Sequence, residues 1–197
     1  KRFWDEHRAT YDVAVKAPMV ALTSELAAEF GTFHLFRPHR DVRFSKDKSP
    51  YKTRCYGVAE GERGEGYYVG ISAQGLSVGS GAWMMAKDQL ARYRAAVDDP
   101  EAGGELEAQV AEVRKQRLRI EAQPLSTAPR GYPRDHPRIE LLRAKSLAGV
   151  RDFEPAAWLG TPKAADRIIA TWRATAGMNA WLAEHVGPST EPPSDRW

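Results

Sequence analysis

A single cysteine, Cys55, stands in 197 residues. With no second thiol, neither an intrachain disulfide nor a multi-cysteine zinc site can form, and a chain of this size can bury a core without such staples. A reducing cytoplasm is the compartment that this usage fits, and cytoplasmic localisation is expected. Long apolar runs are missing as well. No stretch approaches the roughly 18 residues that a membrane span requires, so no membrane crossing is expected. The histidines His7, His34, His39 and His185 have no metal-ligand spacing, so neither a metal nor a cofactor is expected. A phosphate loop is also absent: the run from Gly61 to Gly66 leads into strand-like Tyr67-Tyr68-Val69 and has no Gly-Lys-Ser/Thr ending, which makes it a hairpin tip.

Net positive charge is small in total and concentrated in place. The formal net charge is +3, yet Arg37 to Arg54 carries seven Lys or Arg against two Asp, and Arg130 to Lys145 carries five against Asp135 and Glu140. The remainder of the chain is therefore net acidic. Two basic stretches on an acidic body suit a focused anion site better than a uniformly basic nucleic-acid binder, while two solvated basic loops would produce the same pattern.

Taken in order, Phe3, His7, Tyr11, Val15, Met19, Leu22, Leu26 and Phe30 recur every three or four residues, one face of a long amphipathic helix. Pro18 lies inside it and lacks a backbone donor, which predicts a kink or two abutting helices, and Gly31 supplies the stop. The chain opens at Lys1 already on this pattern, so some N-terminal helix is expected to precede it. Strand character follows at Thr32 to Arg37, His39 to Phe44, Arg54 to Ala59, Tyr67 to Ser72 and Leu76 to Gly79, joined by turn chemistry into an antiparallel meander. Leu90, Tyr93 and Val97 predict a helix ended by Asp98-Asp99-Pro100, and Leu106, Val110, Val113, Leu118 and Ile120 predict a second. Pro137 fits the first position of a helix running to about Lys145, capped by Asp135 or His136. Ser146 to Phe153 returns to the sheet, and Pro162 to Val186 predicts a last amphipathic helix that carries Ile168, Ile169, Trp172, Met178, Trp181 and Leu182. The expected fold is a single α+β domain over residues 1–186, an antiparallel meander packed against a long N-terminal helix and several C-terminal helices. Residues 187–197 form a Pro/Ser-rich tail, and Trp197 is expected to dock.

The chemistry is densest from Arg37 to Lys52. If this stretch is extended, Arg37, His39, Asp41 and Arg43 share one face and Arg40, Val42 and Phe44 the other. Phe44 and Val42 then face the core, and Arg40 goes inward with them, where a guanidinium needs a carboxylate, carbonyls or a ligand. Asp41 fixes one arginine and leaves another free, a fork-shaped donor set for a carboxylate or phosphate. Ser45 to Lys52 predicts a turn with Asp47 and Pro50 as turn residues and Lys48, Tyr51 and Lys52 as its functional heads. A phenol beside two ammonium groups is a candidate acid or base. In the second basic stretch, His136 and Arg143 share a helix face with Glu140 between them, and Lys145 adds a further cation. An ion-pair ladder would use the same arginines structurally, and Glu140 pairing with Arg143 beside a capping His136 would do the same for the second stretch.

The order Arg37, Arg40, Asp41, Arg43, Phe44, Asp47, Lys48, Tyr51, written R-x-x-R-D-x-R-F-x-x-D-K-x-x-Y, resembles the signature of a mainly bacterial, uncharacterised family, domain of unknown function 2461. Phe3-Trp4 through Tyr11, Gly66-Tyr67-Tyr68, Gly79 to Trp83 and Arg130 to Lys145 are similar to further segments of it, so the resemblance covers the chain to about Val186. It implies the family's fold and no activity.

The residues themselves favour a basic pocket for a small anionic ligand, bound by Arg37, Arg40, Arg43, Lys48, Lys52, Arg143 and Lys145. Asp41, Tyr51 and His136 are the candidate proton-transfer groups, for hydrolysis or transfer on an anionic substrate. One alternative is a nucleic-acid-binding module with Tyr51, Tyr56, Tyr67 and Tyr68 as stacking groups. Another is a structural or interaction domain whose signature arginines are all internally paired.

Overall fold

In the computed structural model, described over residues 2–43, 48–61 and 64–191, the chain is α+β. The expectations for Phe44, Ser45, Asp47 and Trp197 fall outside the described residues. Helix α1 (Arg2–Tyr11) and helix α2 (Ala17–Phe30) run on through a π-helical turn, Asp12–Lys16. Pro18 explains that turn. An α register would ask it to donate to the carbonyl of Ala14, which it cannot do, and one residue earlier Ala17 donates instead to Asp12, five residues back. The long helix therefore passes its proline by widening rather than breaking. Gly31 ends it at φ 85°, its amide on the carbonyl of Ala27, where a Cβ would stand 2.6 Å from the carbonyl oxygen of Glu60.

The strands are β1 (His34–Leu35), β2 (Arg54–Glu60), β3 (Gly66–Ser72), β4 (Gly75–Ala82), β5 (Arg119–Glu121) and β6 (Leu147–Phe153). Among the described residues they form one antiparallel sheet in the order β1-β2-β3-β4-β6-β5. β1 pairs with β2 in the register His34 to Val58 and Leu35 to Gly57, and β5 pairs with β6 through Ile120 and Gly149. The described part of His39 to Phe44 contains no strand. A single bridge joins His39 to Tyr51, although the alternation of exposure survives, with Arg40 and Val42 half-buried and His39, Asp41 and Arg43 exposed.

The helices that follow are α3 (Lys87–Asp98), α4 (Pro100–Lys115), α5 (Ile139–Leu142), α6 (Lys163–Arg173) and α7 (Ala176–His185). Three expectations are corrected here. The helix predicted through Ile120 stops at Lys115, because Arg117 adopts φ 61° and turns the chain so that Ile120 enters β5. The helix predicted from Pro137 to Lys145 is the single turn of α5, preceded by turns. The helix predicted from Pro162 to Val186 divides at Ala174 and Thr175, where the Thr175 hydroxyl donates to the carbonyl of Trp172 at 2.7 Å.

The chain divides into two compact units. The first comprises Lys1–Glu60, Tyr67–Val78 and Asp152–Ile169, and the second Gly61–Gly66, Gly79–Arg151 and Ala170–Trp197. In the first, Met19, Leu26 and Phe30 of α2 are buried together with the inward positions of β2, Cys55 and Ala59. In the second, Leu106, Val110 and Val113 line one face of α4 and pack with Tyr93 and Val97 of α3 and with Met178, Trp181 and Leu182 of α7. Asp99 accepts from the amides of Glu101 and Ala102 and so caps α4, with Pro100 at its first position.

Candidate functional site

The basic stretch is held by its own backbone. The amide of Arg40 donates to the carbonyl of Pro50 at 2.9 Å and that of Lys52 to Pro38 at 2.8 Å, one bond on either side of the His39–Tyr51 bridge. Two lysines staple the same segment: Lys48 Nζ donates to the carbonyl of Val42 at 2.9 Å and Lys52 Nζ to that of Arg37 at 3.0 Å. Asp41 takes Arg43 in a fork, with Nε at 3.0 and 3.1 Å and Nη2 at 2.7 Å, and also accepts from the Arg43 amide. Those bonds, aided by the charges of Arg43 and Arg37, bring the Asp41 carboxyl down to about 2 from the ordinary 3.8. A carboxylate so stabilised stays ionised and is a weak base at neutral pH. Arg40 is half-buried and engaged, while Arg37 is exposed.

Tyr51 packs among aromatic rings. Its ring stacks on Trp4 of α1, with centroids 4.8 Å apart and planes at 22°, and His39 lies 5.2 Å away. Lys52 turns elsewhere. Alternation along β2 puts Cys55, Gly57 and Ala59 on the buried face and Arg54, Tyr56 and Val58 on the other. On that second face Phe36 and Tyr56 stack at 4.7 Å, and Lys52 Nζ lies 5.0 and 4.9 Å from their ring centroids. Arg54 lies over Tyr56 at 5.1 Å, and Tyr68 follows at 5.8 Å from Tyr56. Burial raises the Tyr68 hydroxyl above its ordinary value, and Arg54 partly opposes that shift through its charge and a hydrogen bond. Tyr67, one residue earlier in the same strand, packs edge-on against Phe30 at 5.0 Å. The four tyrosines considered as stacking groups are therefore split, with Tyr56 and Tyr68 together, Tyr51 on Trp4 and Tyr67 on Phe30. Phe36 and Arg54 were absent from the candidate set. Their signal was available in the strand-like Thr32 to Arg37 and in the alternation of β2.

The second basic stretch lies in the second unit. His136 is nearly buried there, its side chain 11% exposed, with Nε2 3.1 Å from Asp98 Oδ1 and Nδ1 accepting from the Arg138 amide at 3.0 Å. The acceptor role of Nδ1 places the ring proton on Nε2, toward Asp98. Arg143 donates to Glu140 at 3.0 Å and to the carbonyl of Leu125 at 2.7 Å, and Lys145 is exposed. Arg138 is an addition to the candidates. It donates to the carbonyls of Val97, Asp98 and Asp99, at the negative end of α3. Among the described residues no three His, Cys, Asp or Glu side chains are grouped to hold a metal ion, and no helix is long and apolar enough to cross a membrane.

A family model described as a conserved hypothetical protein matches residues 1–181. No curated protein matches the chain, and no solved structure does.

Proposed function

The chain belongs to the DUF2461 family of conserved hypothetical proteins, and from its own side chains we propose that it binds a small phosphate-bearing ligand with a planar ring at the Phe36–Tyr56 face. One observation carries the reading. The Lys52 ammonium lies beside the stacked pair, 5.0 and 4.9 Å from the two ring centroids, and on a backbone carbonyl, so its contacts among the described residues are uncharged and leave its positive charge available to an anion. Arg54 lies beside it over the same ring, and exposed Arg37 follows directly on Phe36. Asp41 engages Arg43, which takes that arginine out of the donor set. A ring ligand would stack beside Tyr56 and Tyr68 while its phosphate met Lys52 and Arg54, a combination of π-face and cation that suits nucleotides. Binding rather than turnover fits best, because Asp41 is held as a stable anion and Tyr51 is packed on Trp4.

Calorimetric titration with adenosine monophosphate, adenosine and inorganic phosphate tests this. One charge-assisted contact is worth about 1.5–3 kcal/mol, so the monophosphate should bind at least roughly tenfold more tightly than adenosine and weaken as salt is added. Equal affinity for adenosine and its monophosphate would remove the anion site, and no binding of any of the three would remove the reading as a whole.

The row Phe36, Tyr56, Tyr68 favours a second reading, single-stranded nucleic acid tracking along the rings. Short oligothymidylate titrated across a salt series separates the two. A strand neutralised by Lys52, Arg54 and Arg37 should lose affinity with a log–log slope of about −2, at roughly −0.7 per phosphate contact. A flat response disposes of the strand.

A further inference from the structure

Strand β3 holds a buried glycine that its own backbone does not require. Gly70 lies in the strand interior, and its φ is outside the left-handed region, so a residue with a side chain could adopt the same conformation. Glycine weakens a strand interior, and its presence there often marks the close approach of another group. The group that approaches is Tyr68, two residues earlier and on the same face of the strand. A Cβ on Gly70 would stand 2.5 Å from the Tyr68 hydroxyl oxygen and 3.0 Å from the ring carbon Cζ, with Tyr56 Cβ also at 3.0 Å. The Tyr68 ring therefore lies down along β3, its hydroxyl taking the space that a side chain at residue 70 would fill. From there the hydroxyl accepts a hydrogen bond from the Arg54 guanidinium. Arg54 in turn lies over Tyr56, 5.1 Å from the ring centroid, and the Tyr56 and Tyr68 centroids are 5.8 Å apart.

We infer that Gly70 is a positioning residue of the ring face: the side chain it lacks lets Tyr68 hold Arg54 over Tyr56, where the guanidinium meets the ligand's phosphate. This rests on the phosphate-and-ring reading of that face. Alanine at residue 70 suits the backbone, and the atom it strikes first is the far end of a flexible side chain, so the fold yields at Tyr68 rather than in the sheet. Ordinary contact begins at 3.4 Å, which makes the hydroxyl retreat by about 0.9 Å, while Tyr56 Cβ need give only a few tenths of an ångström. Arg54 then either loses its bond to the hydroxyl or follows it away from Tyr56.

Crystal structures and calorimetric titrations of the full chain test this. In Gly70→Ala the Tyr68 hydroxyl should be displaced and its bond to Arg54 lost or moved, with little change in the urea midpoint. The variant should bind adenosine monophosphate about tenfold more weakly, as loss of an oriented charge-assisted contact requires, and its preference for the monophosphate over adenosine should shrink. Tyr68→Leu removes both the hydroxyl and the ring carbon that the new methyl would strike. In that background Gly70→Ala should change monophosphate affinity by less than about twofold, because the two positions act through one contact. Tyr68 found in its parent place in Gly70→Ala, or an unchanged monophosphate affinity, overturns the inference. An equal loss of affinity or stability in the Tyr68→Leu background does so too, since the methyl would then be acting on the sheet itself. Failure of the parent chain to bind adenosine monophosphate removes the ring-face reading instead, and the place of Tyr68 in Gly70→Ala still decides whether Gly70 governs Arg54.

Discussion

Replacing Lys52 by Met asks whether this residue is a clip, a ligand contact or both. Methionine keeps the length and apolar character of the stem and removes the ammonium group. Three contacts are lost: the bond to the carbonyl of Arg37 at 3.0 Å and the approaches to the rings of Phe36 and Tyr56 at 5.0 and 4.9 Å. A cation over a ring at a partly exposed site is worth about 0.5–1 kcal/mol. A hydrogen bond to a solvent-accessible carbonyl adds about 0.5–1.5 kcal/mol. Since the three share one atom they do not add fully, and a net loss of about 1–2 kcal/mol is expected. In urea this lowers the midpoint by about 0.5–1 M with no change in slope, the slope being about 2 kcal/mol/M for a domain of this size. The same variant should bind adenosine monophosphate at least roughly tenfold more weakly, as loss of a charge-assisted contact requires. Lys52→Arg should recover most of the affinity, because its guanidinium also stacks on aromatic faces. If Lys52→Met loses stability but binds the monophosphate as the parent does, the ammonium is only a clip. If neither quantity moves, the contacts carry no weight and the physical reasoning behind the site is refuted.

Three further outcomes follow from other residues. The Asp41 carboxyl lies at about 2 against an ordinary 3.8, so its favourable contribution is fully present above the unfolded value and is lost as pH falls from 3.8 through 2; a carboxyl NMR titration checks this, and Arg43→Gln should move the titration back toward 3.8. Gly75 sits at φ 112°, and a Cβ there would overlap the carbonyl oxygen of Phe153, so Gly75→Ala should destabilise by about 3 kcal/mol or more, read by chemical denaturation. Asp99→Ala removes the acceptor shared by the amides of Glu101 and Ala102 and should cost about 0.5–2 kcal/mol, visible as a lowered thermal midpoint.

Periodicity made much of the fold legible. The spacing of Leu106, Val110 and Val113 marks the buried face of α4, and the alternation through Cys55, Gly57 and Ala59 separates the two faces of β2. Gly31 and the Asp99-Pro100 pair announce their helix boundaries because the backbone itself requires those residue types there. Where local signals compete, the tertiary setting chose. Ile120 carries on the helical spacing of α4, but a left-handed Arg117 and pairing with Gly149 deliver it to the sheet. The Thr and Ala positions around Thr175 gave no warning that one long apolar pattern would become α6 and α7.

The sequence alone determined that positive charge gathers between Arg37 and Arg54, that one face of β2 carries Tyr56 beside Arg54, and that Asp41 is close enough to hold Arg43. Tertiary structure decided who meets whom. The register that pairs His34 with Val58 and Leu35 with Gly57 carries Phe36 to Tyr56, and only that alignment builds the ring pair on which Lys52 rests. A cleft beside Cys55 likewise draws its walls from four separated stretches of chain, and His136 meets Asp98 from another turn of the second unit. Period along a chain fixes which side chains share a surface. Which surfaces meet depends on strand register and helix docking, set by the whole core at once and written at no single position.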